Sequence, residues 1–183
     1  THCISSAASD VYKRQLLEQN EKLGKKLFIT GKGRCNLTNA SDMEQLFANV
    51  VSNRKFLYSA FYSYDNEQVI SFFESHGMPT KTERGNRVFP VSDHSSDVIA
   101  ALSAALREQH VEVFLHTKVK RLLLEKRDEE KRVTGVELAD HTKMHADAVI
   151  VATGGISYPS TGATGDGYRM AEESGHKMLS LIH

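Results

Sequence analysis

Apolar positions in this chain fall in short runs whose spacing changes from element to element. Leu27–Thr30 is a brief apolar run after two lysines, and its length and flanking glycine predict a strand. From Asp42 to His76 the apolar residues, among them Phe47, Phe61, Val69 and Phe73, recur at helical intervals, with breaks near Asn53 and Asp65. Gly77 and Pro79 end that region. "RVFPV" reads as short and extended. In "SDHSSDVIAALSAALREQH", capping-type residues precede one apolar face of Val98, Leu102, Ala105 and Leu106, which predicts a helix. "VEVFL" then reads as a strand.

Three strand-like segments follow, "KVKRLLLEK", "RVTGVELA" and "KMHADAVIVAT", separated by polar turns at Asp128–Lys131 and Asp140–Thr142. They predict an antiparallel meander. The last becomes a continuous apolar run, Ala148–Ala152, the pattern of a central strand buried on both faces. "GDGYRMAEESGH" predicts a closing helix with Gly175 as its C-terminal cap. The fold class expected is α/β: a partial Rossmann-like domain with a parallel sheet, a three-stranded meander over 117–147 and a largely helical insert over 41–90.

Composition narrows the function classes. Lys+Arg and Asp+Glu both number 23 in 183 residues, so neither nucleic acid nor an anionic membrane is expected as a partner. The two cysteines form no disulfide or metal motif, which suits a cytoplasmic protein. The histidines read as surface or core residues, and no metal site is expected. The two ends stand apart. "SSAASDVYKRQ" back-translates into a common transposase-based sequencing adapter, and "LSLIH" into the reverse complement of the same transposon end. Residues 1–15 and 179–183 are therefore expected to be adapter-derived, and Leu16–Met178 to be an internal piece of a longer protein.

Two glycine-rich stretches carry the candidate chemistry. In "ATGG", Ala152–Gly155, small residues after an apolar run would let backbone approach a flat cofactor; a plain tight turn explains the string equally well. In "TGATGDGYRMA" a helix N-terminus follows, whose free N–H groups suit an anion. Asp166 in its first turn either serves the cofactor or simply stabilises the helix. "TGKGRCN", Thr30–Asn36, offers Gly31 and Gly33 for close approach and Lys32 and Arg34 as cationic donors. Cys35 is either a reactive thiol or, on the better reading, a small buried residue, and Asn36 can serve only to fix the turn. Arg84 and Arg87 reach a ligand or belong to a surface turn. No P-loop and no GxSxG nucleophile motif occurs.

Taken together, "LGKKLFITGKGRCNLTN", "RGNRVFPVSDHSSDVIAAL" and "VIVATGGISYPSTGATGDGYRMAEESGH" resemble the bacterial two-dinucleotide-binding-domain flavoproteins. That family includes aminoacetone oxidase-type and bile-acid-reducing enzymes. The resemblance runs through Leu16–Met178 and implies a partial FAD-binding domain. It places Thr30, Gly31, Lys32, Gly33, Arg34, Cys35 and Asn36 in a loop along flavin and pyrophosphate, with Lys32 where the family carries a third glycine. Lys25 matches a basic position beside the adenosine, and Val119 the strand backbone at the adenine edge. Ala152, Thr153, Gly154 and Gly155 match the stretch returning to FAD, and Asp166 and Gly167 the helix start after it. The family's GxGxxG loop, and the strand-end acid for the adenosine ribose, are expected to lie outside this chain.

The resemblance implies an FAD-dependent oxidoreductase acting on a small-molecule substrate, with NAD(P)H or O2 as redox partner. The competing reading is a flavin-binding module without turnover, a redox sensor or RNA-modification partner. No catalytic residue, and no oligomeric state, is assignable. The chain by itself is expected to bind FAD weakly or not at all and to be inactive.

Overall fold

The computed structural model describes residues 13–127 and 130–178, so most of the two adapter-like ends lies outside the described residues. The chain divides into two compact units, one of residues 1–22 and 107–183, the other of Leu23–Leu106.

In the first unit, β1 (Gln15–Leu17) pairs in parallel with β5 (Glu112–Phe114), with Leu16 opposite Val113. The pairing continues past β1, where the Glu18 N–H donates to the Phe114 carbonyl at 2.9 Å and the Thr117 N–H donates to the Glu18 carbonyl at 2.8 Å. The expected meander follows: β6 (Val119–Arg127), β7 (Glu130–Leu138) and β8 (Lys143–His145), all antiparallel. Its second turn closes on an Asx bond, the Thr142 N–H donating to the Asp140 carboxylate at 2.9 Å. A long loop leads through a 3-10 turn at Pro159–Thr161 to α6 (Asp166–Glu173), whose buried Met170 faces inward. Gly175 follows α6 at φ +96°, as its capping role requires.

The run Ala148–Ala152 departs from expectation. It forms no strand, and Ile150 is 92% exposed. A strand buried on both faces needs a hydrogen-bonded neighbour and covering layers. Among the described residues no strand pairs with this run.

The second unit holds α1 (Lys25–Ile29), a 3-10 turn at Thr30–Gly33, β2 (Thr38–Asn39), α2 (Met43–Ala48), α3 (Tyr58–Ser63), α4 (Asn66–Ser75), β3 (Thr80–Glu83), β4 (Arg87–Pro90) and α5 (Ser95–Glu108), whose last two residues pass into the first unit. The strand expected at Leu27–Thr30 is instead α1 and a turn. Gly24, at φ +75°, starts the helix, and its carbonyl accepts from the Phe28 N–H at 2.8 Å. A Cβ on Gly24 would lie 2.6 Å from Ile99, so only glycine lets α1 sit against α5 here.

The breaks in the helical insert have local causes. Asp42 caps α2 by accepting from the Gln45 N–H, Asn53 turns the chain at φ +56°, and Asp65 with Gln68 forms a capping box on α4. Strands β3 and β4 of the insert join β2, just before it, in the antiparallel sheet β2-β4-β3. Cys35, Phe73, Met78, Val98 and Ala101 form the unit's core.

Candidate functional site

The residues expected to hold a cofactor divide between the units. Lys25 and Thr30–Asn36 belong to the second; Val119, Ala152–Gly155, Asp166 and Gly167 belong to the first.

The loop Thr30–Asn36 is a tight series of left-handed residues: Gly31 at φ +55°, Lys32 at +57°, Gly33 at +86° and Cys35 at +57°. A Cβ on Gly31 would meet the Asn36 nitrogen at 3.2 Å, whereas one on Gly33 would meet nothing within 4 Å. Open space beside an exposed glycine turn suits the flat cofactor that the resemblance implies. Lys32, where that family carries glycine, adopts a backbone that glycine prefers. Lys32→Gly is therefore expected to raise stability by about 0.5–1 kcal/mol, read from the urea midpoint at unchanged m-value.

Side chains of this loop are mostly structural. Cys35 is 3% exposed in the core, as its better reading holds. The Asn36 amide sits 3.0 and 3.1 Å from the Thr38 and Val88 carbonyls, to which it donates. Arg34, expected as an anion donor, is engaged within the protein. Its Nε donates to the Asp93 carboxylate at 2.7 Å, its Nη2 pairs with Glu83, and its guanidinium lies 4.2 Å over the Phe89 ring. Lys81 joins Asp93 at 2.6 Å. Arg34 holds the Glu83 carboxyl below its ordinary range, and Lys81, then Arg34, does the same for Asp93. Arg87 reaches the same ring at 5.8 Å and donates to the Arg84 carbonyl, which fits a surface turn for both. Lys25 is the half-buried first residue of α1.

In the first unit the structure brings the two glycine stretches together. The Gly165 N–H donates to the Gly155 carbonyl at 3.1 Å. A Cβ on Gly167 would lie 2.7 Å from Thr153 Oγ1, and one on Gly155 would lie 3.1 Å from the Tyr168 hydroxyl. Small residues at both places let the first turn of α6 rest on Ala152–Gly155. Ala152–Gly154 are exposed, with Gly154 at φ +74°. Asp166 accepts from the Thr164 hydroxyl at 2.6 Å and from Arg169 at 3.1 Å, and Thr164 before Arg169 keeps its pKa low. These bonds match the helix-stabilising alternative for Asp166. Val119 opens β6 opposite Leu138, just before a register shift.

One residue escaped the sequence reading. Glu18 directly follows parallel strand β1, at the carboxyl edge where open α/β sheets bind ligands. It was not among the expected site residues. The signal was "QLLEQN", an acid directly after a short apolar run, and it becomes legible only once β1 is known to be a strand.

Away from these loops, Glu137 of β7 is a buried carboxylate, 3% exposed. Arg121 Nε and Nη2 donate to it at 2.8 and 2.6 Å, His141 Nδ1 lies 3.1 Å away and Lys120 Nζ 3.5 Å. Arg121 leads in depressing its pKa to about 2, from 4.5. Because the folded value is the lower one, the cluster's contribution is complete above pH ~4.5 and is lost as pH falls toward 2. Urea titrations at pH 7 and pH 3 are expected to show that loss, and Glu137→Gln to flatten it. His141 and His145 stand four apart, but on a turn and a strand rather than one helix face. Among the described residues no cluster of His, Cys, Asp or Glu could hold a metal, and no helix is long and apolar enough to cross a membrane.

A model of the HI0933-like protein Rossmann domain matches residues 2–181. A 3-dehydro-bile acid delta(4,6)-reductase of Clostridium scindens is 33% identical over 91% of this chain and 39% of its own. Ribosomal RNA dihydrouridine synthases of Haemophilus influenzae and Escherichia coli are each 28% identical, over 87% and 96% of this chain and 39% and 42% of theirs. The chain thus spans about two fifths of the length of these relatives. Among solved structures, a flavocytochrome c3 fumarate reductase in its open conformation aligns with a TM-score of 0.56 at 23% identity, over 88% of this chain and 36% of its own. THI4 of Thermovibrio ammonificans aligns at 0.55 and 13%, over 91% and 55%. Both likenesses concern the fold.

Proposed function

Since the chain belongs to the HI0933-like Rossmann-domain family, we propose that it is part of an FAD-dependent oxidoreductase with NAD(P)H or O2 as redox partner. The observation that carries the reading is the packing of the α6 N-terminus on Ala152–Gly155 through Gly165 and Gly167. Two glycine stretches 10 residues apart in sequence pack against each other, leaving Ala152–Gly154 exposed.

When bound, FAD would supply hydride chemistry, and the protein would supply position and electrostatics. Ala152–Gly155, Asp166 and Gly167 would form one wall. Thr30–Asn36 would lie along flavin and pyrophosphate through its backbone, with the Lys32 side chain as the loop's anion donor, since Arg34 is held by Glu83 and Asp93. Lys25 and Val119 would border the adenosine, and Glu18 would accept from its ribose.

The whole protein, purified and titrated anaerobically with NADPH and NADH, tests the enzyme reading. Rapid bleaching of bound flavin is the expected result. Bound flavin that neither nucleotide nor an amine reduces would instead mark a module without turnover.

The expected substrate is a small molecule, as for the bile-acid reductase. The two ribosomal RNA relatives favour a second reading, an RNA base as substrate. In the helical insert, Phe56 is exposed directly after Arg54 and Lys55 in sequence, Tyr62 is exposed as well, and no acid occurs between Glu44 and Asp65. Aromatic faces next to cations suit unpaired bases. Salt-dependent binding of single-stranded RNA by the whole protein would support that reading, and its absence would favour the small molecule.

A further inference from the structure

The Asn20 amide joins three parts of the first unit. Its Nδ2 donates to Glu18 Oε1 at 2.7 Å and to the Thr161 carbonyl at 3.1 Å, and its backbone N–H donates to the same Glu18 oxygen at 2.8 Å. The Asn20 backbone carbonyl accepts from the His116 N–H at 3.0 Å. Beside it, Gln19 Nε2 donates to the Gly162 carbonyl at 2.7 Å. Gly162, at φ +96°, sits so close that a Cβ would lie 2.8 Å from both amide nitrogens. The loop clamped in this way runs directly into Gly165, which bonds Gly155. The end of β1 and the α6 wall are therefore tied by two side-chain amides.

We infer that Asn20 is a positioning residue, one that aims the Glu18 carboxylate at the adenosine ribose and registers β1 against the Thr161–Gly167 loop. This rests on the FAD reading above. An amide is planar, so its two N–H directions are fixed relative to each other. With one on Glu18 and the other on Thr161, the carboxylate cannot turn away without losing both of its Asn20 donors. Oε1 is taken up by two donors from Asn20, and Oε2 is the oxygen that accepts the ribose hydroxyl. Gln19 holds the loop through the Gly162 carbonyl.

The test uses the whole protein stripped of flavin and compares FAD with FMN, which lacks the adenosine. Asn20→Ala is expected to weaken FAD binding about 10- to 100-fold, the scale of a hydrogen bond to a charged group, and to leave FMN affinity within about twofold. Gln19→Ala is expected to lower the melting temperature with less than half the effect on FAD affinity, in log units. Asn20→Asp keeps the shape and sets a second carboxylate beside Glu18. Its FAD affinity is expected to be lower at pH 8 than at pH 5. Equal losses for FAD and FMN, or no loss of FAD with Asn20→Ala and Asn20→Asp, would overturn the inference and leave the cofactor reading standing. A wild-type protein that binds no FAD would overturn both.

Discussion

Gly135→Ala is expected to lower stability by about 3–5 kcal/mol, the sum of overpacking and backbone strain. Gly135 lies in the central strand of the meander at φ +147°, opposite Leu123 on one side and His145 on the other. A Cβ there would lie 2.1 Å from the Met144 carbonyl oxygen and 2.8 Å from the His145 Cα. Both are backbone atoms of a paired strand, so relief requires β8 to leave β7. The register shift between Leu123 and Leu124 shows that the ladder already bends at this level. Gly33→Ala makes the control. It also puts alanine at positive φ but meets nothing within 4 Å, and its cost is expected near 1 kcal/mol. Equal costs at the two positions, measured by urea unfolding, would remove the steric argument.

Phe89→Ala is expected to cost about 3–5 kcal/mol in the second unit. The ring is 4% exposed on β4, the middle strand of β2-β4-β3. It supports the candidate loop from below: Arg34 lies over its face, and a Cβ on Gly31 would reach its edge at 3.7 Å. Its loss removes a core ring and the platform that holds Arg34 toward Glu83 and Asp93. Phe89→Leu, which keeps most of the volume but no π-face, is expected to recover more than half of the lost stability. Proteolysis of the Thr30–Asn36 loop is expected to quicken in both variants, and more in Phe89→Ala. A Phe89→Leu protein no more stable than Phe89→Ala would show that packing is not the cause.

What the sequence revealed was what local chemistry decides. The helices of the insert, and their breaks, follow from caps at Asp42 and Asp65 and a turn at Asn53, each acting within a few residues. The meander was legible because the alternating runs and polar turns of Lys118–His145 encode it locally. Features that depend on distant partners were not. Five residues, Lys25–Ile29, are too few to show a period, and Gly24 against Ile99 is a tertiary contact. Strand β1, three residues long, gains its identity from β5, 97 residues further on. With β1 unseen, Glu18 was a lone acid. Arg34 looked like a free cation because Glu83 and Asp93 are 49 and 59 residues away. The Ala148–Ala152 run had the composition of a buried strand, but burial on both faces requires paired strands, and among the described residues none pairs with it.

The central claim is that Ala152–Gly155 and Gly165–Gly167 form one wall of an FAD site. The most direct test is the FAD content of the whole protein and of its Gly167→Val variant, purified side by side. Valine at 167 would press on Thr153 and Val151 and push α6 off the wall. The account predicts stoichiometric FAD in the wild-type protein and at least about tenfold weaker retention in the variant, with its far-ultraviolet spectrum unchanged. Full FAD retention by Gly167→Val, or a wild-type protein that carries no flavin and takes up none, would contradict it.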